Sequence, residues 1–211
     1  MIRVLIADDH PIVRRGLRQM LNETDDIVVV DEAQDCAGAL EKLSEHRFDV
    51  LLLDIAMPGR GGIDVLKEIR SSKIKTPALM LSIFPEDQYA LRALKSGASG
   101  YLTKNCDAET LIEAIRKVAS GGTYVSAELG ERLASSLQRD DRKPPHELLS
   151  DREFEVLKQI ASGNSTREIA VAMSLSVQTI STYRSRIRQK TQLRSVAEIT
   201  SYALKNRLLD F

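Results

Sequence analysis

The chain has 211 residues, 30 basic and 30 acidic, with 43% hydrophobic and 28% charged residues, two Cys and no Trp. This composition is that of a soluble globular protein, with room for one large or two ordinary domains built on aliphatic cores. Cys36 and Cys106 have no metal-ligand spacing and read as free thiols of a reducing compartment. No apolar run is long enough to span a bilayer, and Met1-Ile2-Arg3-Val4 leads straight into a strand-like segment, so a cytoplasmic protein without membrane association is expected.

Residues 1–122 alternate between strand and helix patterns. Ile2 to Ala7 is a short apolar run that ends at Asp8-Asp9. Pro11 opens a helix with Ile12, Val13, Leu17 and Leu21 at helical spacing. Ile27 to Val30 is β-branched, and Ala37, Leu40 and Leu43 are in phase on the next helix. Phe48 to Leu53 is an apolar strand stopped by Asp54, followed by a loop with Pro58, Gly59, Gly61 and Gly62. Ile63, Leu66 and Ile69 mark a helix, Pro77 to Leu81 a strand ending at Ser82, and Tyr89, Leu91 and Leu94 another helix. Ser99 to Thr103 is the last strand, and Leu111, Ile115 and Val118 the last helix of this part. Five strand–helix pairs with continuously apolar strands predict a doubly wound, five-stranded parallel α/β sheet, flavodoxin-like in its layering.

Residues 123–147 read as a linker. Leu129, Leu133 and Leu137 suggest a short helix, and the run from Gln138 to Pro145 is polar and breaks structure. Residues 148–211 are helical throughout, a small all-α domain. Helix starts carry S-x-x-E at Ser150/Glu153, Ser165/Glu168 and Ser195/Glu198, the pattern of a capping box, and a further helix starts at Ser176. Gly163 stands where a helix C-terminus is expected. Charge is unevenly spread: residues 1–125 hold 16 basic against 19 acidic groups, whereas 148–211 hold 10 against 6. A basic C-terminal block points to a polyanionic partner.

In an open parallel sheet, chemistry gathers beyond the carboxyl ends of the strands. Asp8 and Asp9 follow the first strand, Asp54 the third, Ser82 the fourth and Lys104 the fifth, so all belong to one sheet edge. Crowded carboxylates repel unless a cation intervenes, and Mg²⁺ suits an oxygen donor set. A carboxylate beside Mg²⁺ and Lys can attack phosphorus, with Ser82 and Lys104 receiving the phosphoryl oxygens. Taken singly, an Asp after a strand more often caps a helix, and a Lys there is more often solvated; the five together carry the reading.

The set Asp8-Asp9, Asp54 followed by Met57-Pro58-Gly59, Ser82, and Gly100-Tyr101-Leu102-Thr103-Lys104 resembles the receiver domain of two-component response regulators. The resemblance implies that Asp54 accepts a phosphoryl group from a sensor histidine kinase and that Asp8, Asp9 and Asp54 bind Mg²⁺. It implies too that Ser82 and Tyr101 shift together on phosphorylation and that Lys104 contacts the phosphoryl group. Two positions depart from the family pattern: Asn105 where Pro is frequent, and Gly61 where Asp is common.

Between Ser165 and Lys190 the pattern is helix, tight turn, helix. Thr166 to Met173 turns Ile169, Ala170 and Met173 inward. Val177, Ile180 and Ile187 share the buried face of the second helix, leaving Ser181, Thr182, Arg184, Ser185, Arg186 and Arg188 exposed. Thr179, Tyr183 and Lys190 complete the candidate DNA-contact set. Short polar residues near the start of such a helix can reach base edges in the major groove, and Arg and Lys further along can neutralise phosphates. A solvated basic face, or docking to an acidic protein, is the blander alternative.

Residues 148–211 resemble the LuxR/NarL type of helix-turn-helix domain through Leu149 to Leu157, Ser165 to Ala170 and Ser176 to Ile180. The resemblance implies a recognition helix from Val177 and a last helix, Val196 to Lys205, that pairs two copies. Ser174 stands where Gly is usual, at a cost of roughly 1 kcal/mol if left-handed.

The reading is therefore a phosphorylation-controlled transcription regulator that is not an enzyme, binds double-stranded DNA, and forms a homodimer on activation. The opposite charges of its two parts suggest that the receiver restrains the recognition helix at rest. A Mg²⁺-dependent aspartyl-phosphate phosphatase and a protein-interaction module with vestigial DNA binding are the alternatives. Ala56 and Phe84, two residues beyond Asp54 and Ser82, offer no group to activate water, which argues against the phosphatase and for a slowly decaying phosphoryl group.

Overall fold

The structure, a computed structural model, describes residues 1–57, 61–72, 74–131, 144–206 and 208–209. It divides into two compact units, Met1–Gln138 and Arg139–Phe211. In the first, strands β1 (Ile2–Ala7), β2 (Ile27–Ala33), β3 (Val50–Asp54), β4 (Ala78–Ser82) and β5 (Gly100–Thr103) form one parallel sheet in the order β2-β1-β3-β4-β5. Between and after the strands run α1 (Pro11–Asn22), α2 (Cys36–Glu45), α3 (Gly62–Ser71), α4 (Glu86–Lys95) and α5 (Ala108–Ala119). Strand order reverses between β1 and β3, so Asp8 and Asp54 flank the point where such sheets open a crevice.

Burial follows the expected periodicity with a few shifts. β3 and β4 are buried along their whole lengths, as strands covered on both faces must be. On α1, Leu17 and Leu21 are buried but Ile12 is 87% exposed. Val13, Leu17 and Leu21 repeat every fourth residue, and Ile12 lies about 100° off that stripe. On α2 the buried residues are Cys36, Ala39 and Leu43, so Ala37 is exposed rather than in phase with the core. After α5, Tyr124 donates its N–H to the Ser99 carbonyl at 2.9 Å, and Leu129 is buried within a helical turn spanning 127–131. Leu133, Leu137 and the polar run from Gln138 to Lys143 lie outside the described residues.

The second unit begins with a 3-10 turn, Pro145–Leu148, and holds α6 (Asp151–Ala161), α7 (Thr166–Ala172), α8 (Val177–Thr191) and α9 (Val196–Lys205). Both expected capping boxes at Ser150/Glu153 and Ser165/Glu168 form, each Ser oxygen accepting from the Glu N–H while the Glu reaches back. The third does not close. Ser195 accepts from the Glu198 N–H at 3.1 Å, but Glu198 Oε2 accepts from the Arg194 N–H at 2.6 Å instead of from Ser195. Gly163 has φ +88°, ending α6, and Ser174 sits in the left-handed region at φ 53° in the α7–α8 turn.

Candidate functional site

The receiver site is assembled by strand ends. Asp8 follows Ala7, which pairs with Leu53, the residue before Asp54; Asp54 pairs with Leu81, the residue before Ser82; and Ser82 pairs with Thr103, the residue before Lys104. Lys104 Nζ lies 2.7 Å from Asp8 Oδ2 and 2.9 Å from Asp54 Oδ2. Both carboxylates are buried, and Asp54 Oδ1 accepts from the Ala56 N–H at 3.2 Å. Burial pushes the Asp54 carboxyl above its ordinary value; Lys104 opposes this and Asp8 adds to it. Burial also works against the Lys104 charge, yet its bonds to Asp8 and Asp54 outweigh that and raise it.

Asp9 Oδ1 is buried and accepts no hydrogen bond among the described residues; the His10 ring nitrogen comes within 2.8 Å of it without hydrogen-bond geometry. Ligand atoms of Asp8, Asp9, His10 and Asp54 all lie within 4.8 Å of one another. A hard, oxygen-rich set with one carboxylate oxygen left unbonded fits a small divalent cation such as Mg²⁺.

Of the two residues expected to shift together, Ser82 ends β4 and Tyr101 lies on the neighbouring β5. Ser82 is fully buried, and its Oγ accepts from the Phe84 N–H at 3.1 Å. Tyr101, 1% exposed, donates its hydroxyl proton to the Phe84 carbonyl at 2.8 Å, and the Phe84 ring stacks on Tyr89 at 4.8 Å. One segment, Ser82 to Phe84, therefore touches both side chains. Of the Met57-Pro58-Gly59 motif, Met57 is buried and the other two residues lie outside the described ones.

In the second unit, α8 is capped by Ser176, whose Oγ accepts from the Thr179 N–H at 3.0 Å. Ser181, Thr182, Ser185, Arg186 and Arg188 are exposed on α8, and Thr179 and Tyr183 half-buried. The Ser181 and Thr182 hydroxyls bond back to the Val177 and Gln178 carbonyls. Three placements differ from expectation. Val177, 46% exposed, is not on the buried face, which is formed by Ile180 and Ile187. Arg184 is half-buried and donates to Thr166 Oγ1 at 2.7 Å, joining α8 to the start of α7. Lys190 lies 2.6 Å from Oε2 of the buried Glu153, tying the end of α8 to α6.

Comparison with known proteins agrees with both geometries. The response regulator receiver domain matches residues 4–116, and the luxR family of bacterial regulatory proteins matches residues 147–203. The chain belongs to the response regulators that carry a LuxR-type DNA-binding domain. It is 37% identical over 217 residues to the oxygen regulatory protein NreC of Staphylococcus carnosus and 39% over 218 residues to that of Staphylococcus epidermidis, with 100% of each chain covered. Among solved structures, RcsB of Salmonella enterica serovar Typhimurium, bound to the rprA promoter with phosphomimetic BeF3-, matches with a TM-score of 0.65 and 26% identity, over 95% of this chain and 97% of that one. The response regulator ChrA of a haem-sensing two-component system matches with 0.52 and 30%, over 98% of each chain. Response regulators of this architecture are transcription regulators.

Two residues of this response regulator escaped the sequence reading. Gly62 opens α3, where a Cβ would stand 2.0 Å from the Asp54 carbonyl oxygen; its N–H donates to the Ile55 carbonyl at 2.9 Å. The Gly61-Gly62 pair was legible as a loop, but nothing in it said which glycine packs under the acidic residue. Gln178, exposed on the first turn of α8, lines a shallow surface pocket with Ser176, Thr179, Thr182, Tyr183 and Arg186. Its place beside the short polar residues was the available signal. Among the described residues, no helix is long and apolar enough to cross a membrane.

Proposed function

We propose that Asp54 accepts a phosphoryl group from a sensor histidine kinase, and that this modification promotes pairing of two copies and frees the α8 recognition helix for operator DNA in the cytoplasm. The observation that carries the reading is the convergence of Lys104 on Asp8 and Asp54 at one sheet edge, at 2.7 and 2.9 Å, in a chain that also holds a basic helix-turn-helix.

Asp8, Asp9 and Asp54 would hold Mg²⁺, which neutralises charge on the transferring phosphoryl group. A carboxylate oxygen of Asp54 attacks phosphorus, and the bond to the donor imidazole nitrogen breaks with its electron pair leaving on the donor. Lys104 would follow the added charge, and the Ser82 hydroxyl would donate to a phosphoryl oxygen on turning from the Phe84 N–H. That turn alters the segment whose carbonyl holds the Tyr101 hydroxyl, giving the site a route to the surface around α4. Phe84, packed on Tyr89, brings no acid or base to activate water, which favours a long-lived phosphoryl group over phosphatase turnover.

On DNA, Ser181, Thr182 and Ser185 would read base edges, with Thr179 and Tyr183 supporting them, while Arg186 and Arg188 neutralise phosphates. Two copies paired through α9 would present two recognition helices to half-sites about one helical turn apart. Incubating the full chain with Mg²⁺ and a small phosphodonor should add one acid-labile phosphoryl group and tighten operator binding. Asp54→Asn should do neither; equal labelling of that variant would overturn the assignment.

A further inference from the structure

Arg14 on α1 has a side chain only 14% exposed. Its Nη1 donates to the Asp8 carbonyl oxygen at 2.7 Å and its Nε to Glu32 Oε2 at 3.2 Å. Glu32 is held from its other oxygen by Arg18, which also donates to the Val29 carbonyl at 3.3 Å. Burial opposes the Glu32 charge, but the bonds from Arg18 and Arg14 outweigh it and keep its carboxyl below the ordinary range.

A fault in the sheet brings Glu32 to this position. The β1–β2 pairing shifts between Val4 and Leu5, so Val30 has no residue opposite it and Glu32 pairs with Ile6. An inserted residue turns the side chains that follow to the other face of a strand. Here the bulge lets Glu32 meet α1, and beyond it Asp8 donates its N–H to the Ala33 carbonyl at 3.1 Å. Both backbone polar groups of Asp8 are thus fastened to the end of β2, one directly and one through Arg14 and Glu32.

The Asp8 carbonyl defines the plane of the Asp8–Asp9 peptide, and that plane sets the directions in which the two side chains leave the main chain. We propose that Arg14, braced by Glu32, is a positioning residue for the divalent cation: by holding the Asp8 carbonyl it aims the Asp8 and Asp9 carboxylates at Asp54. The inference rests on the reading of the acidic site given above. Arg14 grips the main chain of Asp8 and acts through it. Glu32 offsets one of the two guanidinium charges of Arg14 and Arg18, which limits their repulsion of the incoming cation. Groups that orient metal ligands in this way typically affect affinity by about 10–100-fold.

The test uses the full chain and Mn²⁺, whose free concentration is read directly by electron paramagnetic resonance, with Mg²⁺ as competitor. Arg14→Gln and Glu32→Gln should each weaken Mn²⁺ binding by about tenfold, with Arg14→Lys in between, because an ammonium cannot span both acceptors as a guanidinium fork does. Arg15→Gln, which removes an equal charge from an exposed neighbour, should change it less than twofold. With a small phosphodonor, the labelling rate of Arg14→Gln should recover to within twofold of wild type at saturating metal. A brace needed only for folding would instead lower the folded fraction measured by circular dichroism and leave the affinity of the folded remainder unchanged. Unchanged Mn²⁺ affinity in folded Arg14→Gln and Glu32→Gln, or a rate loss that saturating metal does not restore, overturns the positioning role. Wild-type protein that binds no Mn²⁺, or binds it equally after Asp9→Asn, overturns the acidic-site reading beneath it.

Discussion

Lys190 holds its ammonium 2.6 Å from Oε2 of Glu153, the same oxygen that accepts from the Ser150 N–H to close the α6 capping box. A basic residue at the end of a recognition helix looks like a phosphate contact, but here it neutralises a carboxylate that is 2% exposed. Lys190→Ala leaves that charge unpaired. It should cost about 2 kcal/mol, below the roughly 3–5 kcal/mol of breaking a fully buried pair because the Lys190 side chain is 39% exposed. Burial raises the Glu153 carboxyl, but the bonds from Lys190 and Ser150 outweigh it and hold the group below its ordinary value. A carboxylate depressed in the folded state adds stability above its unfolded value of 4.5, and this is lost as pH falls through the folded value. Hydrogen exchange across α6 and α8 should show openings eased at neutral pH in Lys190→Ala, with a weaker acid dependence than wild type. Wild-type exchange rates in the variant would show that the pair contributes nothing.

Lys104 lies within 2.9 Å of both Asp8 and Asp54, two of the carboxylates proposed to hold the divalent cation. Removing an ammonium that already neutralises the carboxylates should make the site more attractive to a divalent ion. Lys104→Ala is expected to bind Mn²⁺ several-fold more tightly while accepting phosphoryl groups more slowly and losing phosphorylation-dependent DNA binding. Weaker Mn²⁺ binding in the variant would mean that the ammonium organises the carboxylates rather than competing for them.

Gly62 allows α3 to start against the main chain of Asp54. A Cβ at that position would stand 2.0 Å from the Asp54 oxygen and 2.9 Å from its carbonyl carbon, and backbone atoms at a strand end have little room to yield. Gly62→Ala should therefore destabilise the receiver by about 3 kcal/mol, at the upper end of ordinary overpacking. Urea unfolding of the full chain should show the receiver transition moved to lower concentration and phosphorylation impaired. Labelling and unfolding like wild type would show that the α3 start can shift freely.

Much of this was legible in the sequence because strand-end chemistry and helix caps are local. Asp8, Asp54, Ser82 and Lys104 each follow an apolar run, and one parallel register is enough to gather them. Ser150 and Ser165 sit three residues before a Glu and close their boxes. What was not legible depends on partners distant in sequence. Ile12 looked like a core residue until the four-residue repeat of Val13, Leu17 and Leu21 showed which stripe faces the sheet. Arg184 and Lys190 are chemically suited to DNA, and only the packing of α8 on α6 and α7 gives them Thr166 and Glu153 as partners. Glu198 has the right spacing from Ser195 but bonds to the Arg194 N–H, a choice of one turn geometry over another that spacing does not encode.

Ser174 has φ 53° in the α7–α8 turn, a conformation that a Cβ makes unfavourable and glycine adopts freely. Ser174→Gly should relieve up to about 1 kcal/mol, reduced by the greater entropy glycine gives the unfolded chain. Thermal unfolding should show the DNA-binding transition raised by a few degrees or less. A lowered midpoint would mean that the serine makes a compensating interaction in the turn.

Arg186 and Arg188 are exposed on α8, whereas Arg184 is half-buried against Thr166 and the exposed Lys190 is paired with Glu153, so the first two are the better candidates for sequence-independent phosphate contacts. Each such contact contributes about one unit to the slope of log affinity against log salt, so Arg186→Ala and Arg188→Ala should each flatten it by about one on operator and random DNA alike. Arg184→Ala should act mainly on stability, by cutting the link to Thr166. Thr182 and Gln178 lie one turn apart near the start of the helix, joined by the Thr182 hydroxyl bond to the Gln178 carbonyl. A Gln amide can make two hydrogen bonds to an adenine edge, worth about 1–3 kcal/mol of discrimination. Gln178→Ala and Thr182→Ala should therefore weaken operator binding about tenfold or more while leaving random-DNA affinity and the salt slope within twofold of wild type. The measurement is a titration of phosphorylated full-length protein on both DNAs at several salt concentrations. Equal losses on operator and random DNA would make these two residues backbone contacts and move sequence discrimination to Ser181 and Ser185 or to the deformability of the DNA itself.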